Sequence, residues 1–153
     1  MSVSDMFLKV QGITGEASDS DHKGEIDVVS WSWGIHGNID RGVPAGKAQY
    51  RDLQIVKRVD RASPTLMQYL SGYKLADQAV LTVRKAGTNQ LEYLKIELKE
   101  VRIRTLDLET HGAEVVERIA LGFTWVTVTY VPQGPTGAVG GGGISFTGQV
   151  AQG

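Results

Sequence analysis

The chain of 153 residues contains no cysteine. That absence excludes disulfide frameworks, thiolate zinc sites and cysteine nucleophiles. It suits folding in a reducing cytoplasm. Neither sign of charge is in excess: 16 Lys and Arg face 17 Asp and Glu, a formal net charge of −1. Without a basic run there is no electrostatic footprint of a nucleic-acid binder. No apolar run reaches the roughly 18 residues that suggest a membrane-spanning helix, so membrane insertion is not expected. The opening MSVSDMFLKV lacks the basic and apolar pattern of a secretory signal, so no cleaved signal peptide is expected. With only 3 histidines, a histidine-based site has few places to form.

What is present is a chain long enough for one domain, expected to span 1–153. Such a chain buries about two-thirds of its unfolded surface and needs no metal to fold. Glycine is abundant at 19 residues. It is densest in 132–143, which is expected to be a flexible connection to a short terminal strand, ISF.

Strand patterns dominate. MFLKVQGI, IDVVSWSWGI, YRDLQIVKRV and VVERIALGFTWVTVTYV are expected strands. QAVLTVRKAGTNQLEYLKIELKEVRI has the form of a hairpin with AGTN as its turn. GEASDSDHKGE and HGNIDRGVPAGKA have the composition of loops, the second of them long. One helix is expected in ASPTLMQYLSGYKL, with Ser63 as N-cap and Pro64 in the first turn. Its Leu66, Met67 and Leu70 form the core face, and Gly72 ends it.

The apolar parity of the long strands shifts partway along. Leu94, Ile96 and Leu98 give way to Val101 and Ile103. Ile119, Leu121, Phe123 and Trp125 give way to Val126 and Val128, and Ile26 and Val28 to Val29, Trp31 and Trp33. Constant parity marks one buried face, whereas a shift needs a bulge or a second buried face. The pattern predicts a mainly β fold: an antiparallel two-sheet β-barrel with one flanking α-helix and a long extended loop.

Four near-motifs fail on their chemistry. GVPAGKA has the wrong spacing for a phosphate loop and Ala48 where a hydroxyl is needed. DSDHKGE has Lys23 and Ser30 where a calcium loop needs oxygen ligands and a glutamate, so a solvated loop is expected. SGYK puts Ser71 at a helix end rather than a helix start. His22, His36 and His111 are scattered, and surface positions are expected for them. Asp107, Glu109, Glu114 and Glu117 flank a predicted turn, where solvated charge is expected rather than an acid/base pair. No catalytic residue, metal ligand or cofactor site is therefore assigned, and the chain is not expected to be an enzyme.

In SWSWG, Trp31 and Trp33 share one face of a strand and Ser30 and Ser32 the other. The tryptophans are expected in the core, as are Leu66, Leu70, Phe123 and Trp125.

MFLKVQGITGEA, HKGEIDVVSWSWG, SPTLMQYLSG and AVLTVRKAGTNQLEYLKIELKEV stand in this order. Together they resemble the haemolysin-coregulated proteins (Hcp), the tube subunits of bacterial type VI secretion. The resemblance covers most of 5–131 and weakens after Pro132. There ISFTGQV has Phe146 and Thr147 where family members often carry tryptophan followed by Asp or Asn. It implies a hexameric ring, a homo-hexamer with a central channel, and rings stacked into a tube. The implied partners are the sheath and spike proteins and effector proteins carried in the channel. The implied course is assembly in the bacterial cytoplasm, then release to the extracellular space or a target cell. It places Ser32 on the channel, with Ser30 beside it by parity. It assigns Asn38, Ile39, Asp40, Arg41, Val43 and Pro44 to inter-subunit and ring-stacking contacts. The competing functions are a small-molecule-binding β-barrel using Trp31, Trp33 and Trp125, a phage-type tail-tube protein, and a hydrolase with no readable nucleophile.

Overall fold

A computed structural model describes residues 5–86, 91–133 and 142–150. The first strands are β1 (Met6–Val10), β2 (Ile26–Asp27), β3 (Ser30–Ser32) and β4 (Ile35–His36). A small hairpin, β5 (Ile39–Asp40) and β6 (Val43–Pro44), is followed by β7 (Gln49–Tyr50) and β8 (Leu53–Arg58). Then come α1 (Ala62–Ser71), β9 (Leu75–Arg84), β10 (Glu92–His111), β11 (Glu114–Gly122), β12 (Trp125–Tyr130) and β13 (Ile144–Gln149).

The main sheet runs β2-β1-β9-β10-β11-β8-β3, with β12 beside β10 and β13 beside β12. All its pairings are antiparallel. Both ends of that path belong to one stretch of chain. Val28 N–H donates to the Met6 carbonyl at 3.0 Å, and Val29 N–H to the Val56 carbonyl at 2.8 Å. Adjacent residues thus bond to β1 and to β8, and residues 26–32 close the barrel. The parity shift at Val28/Val29 is this change of partner, and it divides the expected strand IDVVSWSWGI into β2, β3 and β4.

The other shifts lie at one corner. Glu100, at φ 56°, turns β10 between the buried Leu98 and Val101. β9 changes face at the same level, burying Ala76 and Ala79 on either side. Across from it, the expected long strand 115–131 breaks at Phe123 and Thr124 into β11 and β12. A second irregularity, at Arg104, lets Ile103 and Leu106 both face inward.

The terminal strand pairs with β12 through Ile144↔Tyr130, Phe146↔Val128 and Gly148↔Val126. It spans six residues rather than the expected three. Most of the AGTN turn and most of the glycine-rich connection lie outside the described residues.

The helix buries Ala62, Ser63, Leu66 and Tyr69, an i, i+4, i+7 stripe. Met67 stands exposed instead, and Leu70 packs half-buried at the margin. Ser63 is not the N-cap. The Asp60 carboxylate accepts the Ala62 N–H at 2.9 Å, and Ser63 lies inside the first turn. Gly72 ends the helix as expected, as its C-cap, with φ −92° and its N–H bonded to the Gln68 carbonyl. The next residue, Tyr73, takes the left-handed conformation at φ 52°, with its N–H bonded to the Leu70 carbonyl and that of Lys74 to the Tyr69 carbonyl.

Ser63 faces a buried ion pair. Lys57 continues the inward parity of Leu53 and Ile55, and Glu117 that of Ile119 and Leu121. Lys57 Nζ lies 2.5 Å from Glu117 Oε1 and 2.9 Å from Asp60 Oδ1, and it donates to Ser63 Oγ at 3.1 Å. Both the lysine and the glutamate are completely buried. Glu117 is therefore not solvated charge beside a turn. It joins β11 to β8 and to the start of α1. Removing one partner strands a buried charge at a cost of about 3–5 kcal/mol. Lys57→Met should lower unfolding stability by that amount in urea titration, and Lys57→Met with Glu117→Leu should recover most of it.

Candidate channel face and hairpin

Cross-strand register places Ser30 and Ser32 on a sheet face four strands wide. Ser30 lies opposite Val56, Val56 opposite Arg118, and Arg118 opposite Asp107. A second row runs Ser32, Gln54, Ala120, Thr105. Both serines are exposed. This is the side of β8 and β11 turned away from Ile55 and Ile119, so the barrel core and the serine face are two sides of one sheet.

The charges on that face are largely paired with one another. Arg58 Nε lies 3.1 Å from Glu114 and Arg104 Nε 3.2 Å from Asp52. Arg118 Nε donates to Glu109, and His111 Nε2 lies 3.4 Å from the same carboxylate. The Arg118 hydrogen bond, the largest cause, holds the Glu109 carboxyl below its ordinary value.

Trp31 lies opposite Ile55 and packs half-buried against the core. Trp33 is also half-buried, its ring 6.5 Å from that of Tyr50. Its indole Nε1–H donates to the Arg51 carbonyl at 2.9 Å, fixing the base of the hairpin between β4 and β7. Phe123 and Leu70 pack at the core margin, and Leu66 is fully buried. Trp125 departs from its expected core position and is 39% exposed. It lies opposite Lys99 and Gln149 because Val126, next in the strand, takes the inward place. None of the three tryptophans lines the clefts of about 560, 450 and 450 Å³ beside Arg102, Arg84 and Gln78.

Within the expected long loop, Ile39 lies opposite Pro44 and Asp40 opposite Val43. Arg41 and Gly42 form the turn at φ 53° and 80°, the two positive values of a tight hairpin. Asn38 closes the arms by accepting the Ala45 N–H at 2.7 Å. Ile39 and Val43 are 65% and 62% exposed, an apolar tip held away from the core.

The histidine expectation needs correction at His22. Its ring is buried, stacked on Phe7 at 4.4 Å, with Nδ1 3.0 Å from Glu25 and Nε2 2.6 Å from Glu92. Arg84 covers the same Phe7 ring and binds Asp19 with two N–H groups, at 2.9 and 2.6 Å. The segment expected as a solvated loop is thus clamped to the sheet. Among the described residues no three His, Asp or Glu side chains are placed to hold a metal ion.

The pairing of Glu109 has a titration consequence. A depressed folded value means that its contribution to stability is present above the unfolded value and fades as pH falls through the folded one. NMR titration should find Glu109 ionised below the usual glutamate range, and Arg118→Ala should return it there. A Glu109 carboxyl unmoved by Arg118→Ala would break the assignment.

Comparison with known proteins places this fold. The family described as "Type VI secretion system effector, Hcp" matches residues 7–130. Protein hcp1 of Pseudomonas aeruginosa is 40% identical over 155 residues, covering 97% of this chain and 96% of that protein. The crystal structure of a type VI secretion system effector from Yersinia pestis superposes with TM-score 0.81 at 33% identity, covering 95% of this chain and 100% of that one. Hcp1 from Salmonella typhimurium gives TM-score 0.81 at 34% identity, over 97% and 96% of the two chains. The chain belongs to the Hcp family of type VI secretion proteins.

Proposed function

We propose that this chain is a structural subunit that forms hexameric rings, and that the rings stack into the inner tube of a type VI secretion apparatus. Ser30 and Ser32 face the channel. The tip formed by Asn38, Ile39, Asp40, Arg41, Val43 and Pro44 contacts neighbouring subunits, including those of the next ring. Effector proteins travel in the channel, and the sheath and spike are the tube's partners. The subunit assembles in the bacterial cytoplasm and leaves with the tube. It acts by assembly rather than catalysis.

The observation that carries this proposal is the pairing of an exposed polar sheet face with an exposed apolar hairpin on one small barrel. A channel wall must stay wet, whereas a subunit contact must lose water. Ile39 and Val43 gain from burial at about 25 cal/mol per Å². Repetition of the same contact around a ring closes it, and stacking leaves two faces that polymerise.

Negative-stain imaging and light scattering of the purified chain should show rings of one fixed copy number. A chain that remains monomeric at high concentration would refute the tube. Ser32→Gln should leave rings intact while lowering retention of at least one channel-carried effector. Unchanged retention across several effectors would remove Ser32 from the cargo-contacting wall.

A further inference from the structure

Among the described residues, the non-glycine positions with positive φ are Arg41, Tyr73 and Glu100. Arg41 sits at the tip of the β5–β6 hairpin. Glu100 lines an open cleft of about 560 Å³, together with Leu75, Arg102, Arg104 and Phe123. Tyr73 borders it, since Arg102 Nη1 donates to the Tyr73 carbonyl. Left-handed backbone is disfavoured for side chains of this size, by roughly 1–2 kcal/mol each. Such strain gathers where a surface is held ready for contact.

The two surfaces are complementary. The cleft offers apolar area from Leu75 and Phe123, a carboxylate from Glu100 and a guanidinium from Arg102, Arg104 being paired with Asp52. The hairpin offers exposed Ile39 and Val43, a guanidinium from Arg41 and a carboxylate from Asp40. Both belong to the same end of the barrel: Leu53, just after the hairpin arms, lies opposite Leu121, and Asp52 pairs with Arg104 of the cleft. Ile39 and Val43 remain exposed, so the tip does not occupy the cleft of its own chain.

We infer that the cleft at the Glu100 corner is the receptor for the hairpin of a second copy of this chain. The hairpin enters with Arg41 against Glu100 and Asp40 against Arg102, and it lays Ile39 and Val43 on Leu75 and Phe123. This rests on the ring proposal and adds to it the surface that the hairpin meets. Arginine, tyrosine and aromatic anchors around one pocket are the composition of an interface hot spot.

Charge reversal tests the contact. Arg41→Glu and Glu100→Arg should each raise the concentration at which rings half-form by at least tenfold, read by sedimentation velocity. The double variant Arg41→Glu/Glu100→Arg should recover to within about threefold of the wild type. Arg41→Asn keeps a residue that tolerates the turn and removes only the charge, so it should weaken assembly without lowering the thermal midpoint of the monomer. If wild-type rings form and both reversals leave the midpoint concentration unchanged, the contact is wrong and the ring stands. The contact is equally overturned if the double variant is no better than its worse parent. A wild type that forms no rings overturns the ring and the contact together.

Discussion

Two neighbouring peptide groups set the topology. Val28 donates to β1 and Val29 to β8, so the barrel is closed by a change of partner within a single strand-like segment. A sheet left open here would expose the edges of β1 and β8 to pairing with other chains. Closure also decides where the tryptophans go. Once the chain has crossed to β8, Trp31 takes the inward place opposite Ile55, and the serines on either side must face out. The polar face, the half-buried indoles and the hairpin base at Trp33 all follow from that one crossing.

The Lys57–Glu117 pair performs a different task. Its charges lie 2.5 Å apart with no exposed surface, and Asp60 and Ser63 add further bonds from the helix entry. Hydrophobic side chains of similar volume would often serve stability as well. What an ion pair adds is position: Nζ accepts only one arrangement of three partners, so α1 enters over β8 and β11 at one register. The Arg84–Asp19 and His22 contacts do the same for the 15–25 segment on the outer face. Polar groups thus fix how the loop and the helix sit, while the apolar cluster supplies the bulk of the burial.

Much of this was legible in the residues. The parity shifts in 26–35, 91–108 and 115–131 marked the closure and the corner, because a side chain's face is a local property of a strand. The helix was legible too, although its stripe runs through Tyr69 rather than Met67. The buried ion pair was not expected, yet parity with Ile55 and Ile119 carried the signal. Strand parity places a lysine inward, but only register across 60 positions supplies its glutamate. The hairpin within 37–46 was hidden because Arg-Gly is an unusual turn pair, the favoured one being Asn-Gly. The rows behind Ser30 and Ser32 depend on three successive registers, which no single segment encodes. Trp125 was misplaced because the strand changes face one residue before it settles on Val126.

The serine face shows why its charges are arranged as they are. Arg58, Arg104 and Arg118 each stand beside an acidic partner. Exposed pairs of this kind contribute little to stability, about 0–1 kcal/mol each. Their larger effect is on the field outside the sheet. Opposite charges a few ångströms apart largely cancel at distances several times greater, and salt screens what remains. Between them Ser32, Gln54 and Thr105 present exposed uncharged polar groups, while Ala120 in the same row is buried. In the proposed channel such a wall would stay wet, and its paired charges would weaken the field it sets up beyond the sheet.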